Sequence, residues 1–190
     1  MFRRGEGAEA ARCRETLRDA LAEVQLAIAG WRTVPVDAEA CGVTARATMP
    51  RIEQVFVAPL IDVAGARPAP DTFRRALYLA RRRATQRLQD LPAFYSVTLS
   101  ADSIGYKGMV LPSRLPQLYP DLQRAELETS VAVFHQRFST NTTSRWSLAQ
   151  PFRMLAHNGE INTIAGNRAW AQARAHVWRS EQLDPREFEP

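Results

Sequence analysis

Two short segments, HQRFSTNT at residues 135–142 and AHNGEIN at residues 156–162, combine residue types that suit the chemistry of an amide. Arg137 offers a planar fork of donors that matches a carboxylate, so it can orient an amino-acid substrate. The polar groups of residues 139–142 can add hydrogen bonds. When an amide carbonyl is attacked, negative charge collects on its oxygen, and donors aimed there lower the barrier. The Asn158 side-chain amide and the Gly159 backbone N–H are such donors, and glycine lets the backbone approach closely. Each group also has a plainer reading: a surface or ion-paired arginine, and an Asn-Gly turn. His135 and His157 have no Cys, Asp or His cluster at ligand spacing beside them, so they read as core or supporting histidines rather than metal ligands. An amide-transfer site also needs a nucleophile, and none is obvious beside these segments.

Regular elements must position these groups. Residues 8–29 carry Leu17, Leu21, Val24 and Ile28 at spacings of three and four, which predicts one amphipathic helix ended by Gly30. Pro35 biases Val34 away from helical backbone, so residues 30–37 read as an extended loop. Residues 52–58 alternate between flanking prolines, as a short strand does. A second helix is predicted over residues 70–88, opening with Pro70 and Asp71 and running through Leu77, Ala80, Ala84 and Leu88. Its arginine run, residues 81–83, reads as a solvated face.

Beyond Pro92 the period changes to two. Residues 94–99, 104–110 and 129–136 read as strands, the first two joined by a polar turn at 101–103. Three prolines between residues 111 and 127 predict mostly loop there. Residues 153–157 read as a further strand delivering Asn158 and Gly159, and residues 163–178 as a helix packed on a sheet through Ile164, Ala171, Ala175 and Trp178. This order of strands and helices points to an α+β or layered-sheet architecture rather than a parallel βαβ series.

Composition sets the outer bounds. A chain of 190 residues with 45% hydrophobic content supports one sizeable core and predicts a single globular unit. The net charge of +5 does not by itself indicate nucleic acid, because both signs are interspersed and Lys107 is the single lysine among 25 basic residues. Two cysteines, Cys13 and Cys41, make no disulfide framework, and a reducing cytoplasm is the simpler setting. No apolar run approaches the roughly 20 residues that a membrane helix needs.

The motifs carry a family resemblance. HQRFSTNT, then SLAQPFRMLAHNGEINTIAGNRAW at residues 147–170, closely resembles the N-terminal glutamine amidotransferase domain of the glutamate synthase large chain. GWRTVP at 30–35, FRRALYLARRR at 73–83, FYSVTLSADSIGYKGMV at 94–110 and LYPDL at 118–122 agree with it in family order. The resemblance implies the N-terminal nucleophile hydrolase architecture, an αββα sandwich, with residues 1–190 as a partial domain. In that family an N-terminal cysteine attacks the glutamine carboxamide, with its own α-amine, of reference pKa about 8, as the base. A glutamyl thioester forms, ammonia leaves, and water releases glutamate. Ammonia then passes within the full enzyme to 2-oxoglutarate at a flavin site, where reduction yields a second glutamate. Carried onto this chain, the resemblance gives Arg137 the substrate α-carboxylate and makes Asn158 and Gly159 the oxyanion hole. Phe138, Ser139 and Thr140 would line the glutamine pocket.

The chain departs from the family at the nucleophile. It opens MFRRGEG rather than with a cysteine in a CGVGF-like segment, and the glycine-rich and HRG-like stretch that precedes GWR in the family is absent. It stops at Pro190 before the family segment whose aspartate binds the substrate amino group. The expectation is a domain truncated at both ends, inactive alone because the nucleophile is absent, and holding no cofactor. FMN and an iron–sulfur cluster belong to the parent enzyme. CGV at 41–43 echoes the family opening but follows GWRTVP, where the family has a non-catalytic helix. Cys41 therefore reads as an inert, partly buried thiol, and Cys13 as structural.

Without the family's first strands, the remaining sheet would present unpaired edges, which predicts partial folding, aggregation or completion by another chain. The partners implied are glutamine and the remainder of a glutamate synthase or a complementing chain, with neither nucleic acid nor membrane. Two other readings stay open. One is a non-catalytic glutamine-binding or regulatory module; the other is a basic nucleic-acid binder acting through Arg81, Arg82 and Arg83.

Overall fold

A computed structural model describes residues 7–60, 67–91, 94–138, 142–149 and 164–187. The chain divides into two compact units, Met1–Arg153 and Met154–Pro190. In the first, the order is helix α1 (Gly7–Ala22), strand β1 (Leu26–Thr33), short helix α2 (Val43–Ala47), strand β2 (Glu53–Pro59), helix α3 (Pro70–Arg87) and short helix α4 (Leu115–Leu118). The second contains helix α5 (Ala165–Arg174). The described residues are thus a mixture of helix and sheet.

The helix expected over residues 8–29 stops at Ala22. Gln25 takes a left-handed φ of 59°, and its carbonyl accepts a 2.9 Å hydrogen bond from Leu60 N–H, so the chain leaves the helix as β1. The apolar spacing fits two patterns at once. Val24 and Ile28 continue the helical face of Leu17 and Leu21, but with Leu26 they also alternate along a strand, and all five share one core cluster. The core residues are as the sequence implies, while the element that carries the last of them is not. Residues 30–33, expected as loop, belong to β1.

β1 pairs antiparallel with β2, Leu26 opposite Pro59 and Thr33 opposite Glu53, and the register shifts between Ile28 and Gly30. Gly30 thus sits at a bulge instead of ending a helix, a position where an extra residue bends one strand of a pair. β2 lies one residue beyond the expected 52–58. α3 begins with Pro70, whose missing N–H costs nothing in a first turn. Leu77, Ala80 and Ala84 are its buried positions, and Leu88, which caps its end, is buried with them, as the periodicity requires. α1 lies against α3, with Leu21 clustered on Leu77 and Ala80, and Cys13 and Ala10 on Leu88. Arg87 fastens the pair by a 2.7 Å ion pair to Glu23.

The arginine run on α3 is not the solvated face expected of it. Arg81, Arg82 and Arg83 are each half-buried; Arg83 reaches Glu23 at 3.4 Å and Arg81 lies 5.6 Å from the centre of the Tyr78 ring.

Three expected strands are not formed. Residues 94–99, 104–110 and 129–136 pair with nothing as a ladder, and the one sheet among the described residues is β1–β2. An alternating pattern specifies which face is apolar but names no partner, and a strand needs both. The reversal at 101–103 does occur. Asp102 N–H bonds Ser100 Oγ at 3.1 Å, and Gly105 packs so closely on the other limb that a Cβ there would lie 3.0 Å from Val97. Residues 111–127 hold α4 between two single-turn 3-10 segments rather than loop alone.

A third cluster closes this unit. Val34, Cys41 and Ala45 pack on Leu118, Tyr119 and Trp146. Trp146 Nε1–H donates to the Ala45 carbonyl at 3.1 Å, and the Tyr119 hydroxyl donates to the Lys107 carbonyl at 2.6 Å, so both large polar aromatics are buried with a partner.

In the second unit α5 is shorter than the expected 163–178 and is followed by a 3-10 turn, Ala175–Val177. Ala171, Ala175 and Trp178 are half-buried as its pattern suggests, whereas Ile164 is exposed. No described residue of this unit forms a sheet for it to pack on. The expected strand at 153–157 lies outside the described residues. No described helix is long and apolar enough to cross a membrane.

Candidate functional site

Of the residues singled out for amide chemistry, the structure describes Arg137 and Phe138. Both lie in the irregular segment that runs from residue 124 to 138, Arg137 exposed and Phe138 half-buried. Among the described residues no ion pair or hydrogen bond engages the Arg137 guanidinium, which leaves its fork of donors free for a carboxylate. His135, two residues before it, is exposed rather than a core histidine. Ser139, Thr140, Asn158 and Gly159 lie outside the described residues, as does His157. Of the expected carboxylate clamp and oxyanion donors, the structure thus describes Arg137 alone.

The two thiols are both withdrawn from solvent. Cys13 is 2% exposed and Cys41 5% exposed, and burial pushes both thiols up from their ordinary range. A nucleophilic cysteine needs a thiolate and access to its substrate, and neither residue has them. Cys41 sits in the cluster with Tyr119 and Trp146, just ahead of α2. The two thiols lie in different clusters, and among the described residues no group of three His, Cys, Asp or Glu side chains could hold a metal. The described residues thus do not fit an iron–sulfur cluster.

No motif announces a second feature, a cavity of about 500 Å³ in the first unit between α1, the β1–β2 pair and residues 94–107. Two buried carboxylates mark its wall. The Glu53 side chain is 4% exposed and is held by Arg14, whose Nε lies at 2.9 Å, and by Arg51 at 2.6 Å. Burial pushes the Glu53 carboxyl up, but the hydrogen bonds and charge of the two arginines outweigh it and hold it below the usual carboxylate range. Asp121 pairs with Arg32 and accepts from the Tyr106 hydroxyl at 3.3 Å, and Arg32 also donates to Gln54 at 3.0 Å. These pairs join residues 39 and 89 positions apart, so no local spacing could have announced them.

Comparison with known proteins fixes the family. The model of the class-II glutamine amidotransferases matches residues 1–190. The glutamate synthase [NADPH] large chain of Azospirillum brasilense is 46% identical over 156 residues, which is 81% of this chain and 10% of that protein. The glutamate synthase [NADH] of Saccharomyces cerevisiae is 40% identical over 169 residues, covering 89% of this chain and 8% of that protein. The chloroplastic ferredoxin-dependent glutamate synthase of Oryza sativa is 43% identical over 171 residues, 86% of this chain and 10% of that protein. The chain thus spans about a tenth of the length of these relatives. It belongs to the class-II glutamine amidotransferases, and within them to the amidotransferase domain of glutamate synthases.

Proposed function

We propose that these residues form part of the glutamine-hydrolysing domain of a glutamate synthase, which releases ammonia for the reductive amination of 2-oxoglutarate. The observation that carries this reading is the match of the whole chain to the family together with the presence of HQRFSTNT and AHNGEIN. In the proposed site Arg137 clamps the substrate α-carboxylate, Phe138, Ser139 and Thr140 line the pocket, and Asn158 and Gly159 stabilise the oxyanion. Residues 1–190 are one partial domain of the αββα sandwich type. The attacking thiol comes from polypeptide other than these residues, since Cys13 and Cys41 are buried. Flavin and iron–sulfur chemistry fall to other parts of the parent enzyme, which we place in the cytoplasm.

The test is an assay of ammonia release from glutamine by the purified chain, beside calorimetric titration with glutamine. Binding without release is the expected result. Ammonia release that disappears in Cys41→Ser would overturn the assignment of the nucleophile, and absence of glutamine binding would overturn the assignment of the clamp. The burial of both thiols also favours a second reading, a glutamine-binding module without chemistry. The two separate when a polypeptide with the family's N-terminal cysteine segment is added, because only the first then releases ammonia.

A further inference from the structure

Between Asp121 and Trp146 no described side chain is buried. The segment that carries Arg137 therefore adds little to the core. From residue 124 to 138 its hydrogen bonds among the described residues are local, and none reaches beyond three positions along the chain. Irregular stretches of this length are uncommon in a compact unit and are functional segments or linkers as a rule. One with so few contacts of its own is placed by its two ends.

Both ends enter one cluster. Leu118 and Tyr119 on one side and Trp146 on the other pack together with Val34, Cys41 and Ala45. Directed bonds set their orientation. The Tyr119 hydroxyl donates to the Lys107 carbonyl at 2.6 Å, Asp37 N–H to the Leu118 carbonyl at 2.9 Å, and Trp146 Nε1–H to the carbonyl of Ala45 in α2 at 3.1 Å. The two ends also meet at Gly108, where an added Cβ would lie 2.7 Å from Leu118 Cδ2 and 3.6 Å from Trp146 Cζ3. An indole suits such an anchor, because its large apolar body fills the cluster while its one donor fixes the ring's direction. Binding groups on loops depend on the scaffold that holds them, and hydrogen bonds to a carboxylate weaken steeply with misalignment.

We propose that Trp146 is a positioning residue for the carboxylate clamp, fastening the segment of Arg137 to Leu118 and to the α2 carbonyl so that the guanidinium fork is held where glutamine binds. The proposal rests on the reading of Arg137 as that clamp.

The experiment titrates the full chain and its variants calorimetrically with glutamine and with 4-aminobutanamide, which is glutamine without its α-carboxylate. The parent should prefer glutamine by at least about tenfold, as a bidentate charged contact implies. Trp146→Phe keeps a ring in the cluster but lacks the indole donor. It should weaken glutamine by at least about threefold, a part of that contact, and leave 4-aminobutanamide unchanged. In an Arg137→Ala background the same substitution should add nothing, whereas an effect independent of Arg137 would add in full. Val34→Ala opens the same cluster directly after β1; it should lower the unfolding midpoint and keep the parent's preference. Should Trp146→Phe fail to fold, Gly108→Ala, which presses on both anchors, is read in its place with the same expectation. If the parent does not prefer glutamine, or Arg137→Ala leaves the preference intact, the clamp reading fails and the proposal with it. If the clamp holds, the proposal alone is overturned when folded Trp146→Phe keeps the full preference, weakens both ligands equally or adds its effect to Arg137→Ala, or when Val34→Ala loses the preference as well.

Discussion

Arg137 is exposed and unengaged among the described residues, so it adds little to stability and can be removed cleanly. On the proposed reading of Arg137 as the carboxylate clamp, Arg137→Ala should weaken glutamine binding by at least about tenfold, as the loss of a bidentate charged contact implies, and leave thermal unfolding unchanged. Arg137→Lys should restore only part of the affinity, because an ammonium cannot reproduce the planar fork. Calorimetric titration beside a melting curve checks both. Glu53 is the opposite case, a nearly buried carboxylate whose titration is displaced downward by Arg14 and Arg51. Its folded value lies below the ordinary 4.5, so its contribution is complete above that value and is lost as pH falls through the lower folded one. Glu53→Gln should cost about 2 kcal/mol at neutral pH, since two arginines lose their partner. The gap between parent and variant should close as the solution is made acid, which urea unfolding across a pH series would show.

Between α1 and β1 the left-handed residue Gln25 decides where helix gives way to strand. A glycine tolerates that conformation without the Cβ clash, so Gln25→Gly should stabilise the first unit by about 0.5–1 kcal/mol. Were residues 8–29 one helix, the same change would cost about 1 kcal/mol, so the sign of the shift in urea midpoint distinguishes the two. A second substitution probes the packing of residue 108, where an added Cβ would lie 2.7 Å from Cδ2 of the fully buried Leu118 of α4. Gly108→Ala should cost about 1–3 kcal/mol, read from the same unfolding curves. These two sites also show how much was legible. Elements held by local signals came through: Pro70 opens α3 where its ring is tolerated, and Leu77, Ala80, Ala84 and Leu88 face inward as their spacing demands. Residues 24–28 misled because one apolar set satisfies both a helical and a strand period, and only pairing with β2 chooses between them. Arg137 stands out in the sequence by its motif and is exposed in the structure, whereas the Glu53 and Asp121 pairs, made across 39 and 89 residues, leave no trace in local order.

At the scale of the molecule the unspent feature is apolar surface left exposed among the described residues. Val131, Val133 and Phe134 are exposed at 72%, 77% and 77%, in the segment that leads to Arg137. Among the described residues the sheet has two strands, so no described strand lies along the outer edge of β1 or of β2. An alternating apolar segment and open strand edges in one chain are complementary, because a strand laid along an edge satisfies the hydrogen bonds of both. On the proposed reading, other polypeptide of a glutamate synthase would cover this surface in the parent enzyme. The isolated chain should instead cover it with copies of itself. Light scattering during size exclusion should give a mass that rises with loading concentration, and Val133→Lys should lower it, as a charge on a strand face discourages edge pairing. A parent chain that stays monomeric at every concentration and unfolds in one cooperative step would show that these surfaces are satisfied within the chain itself.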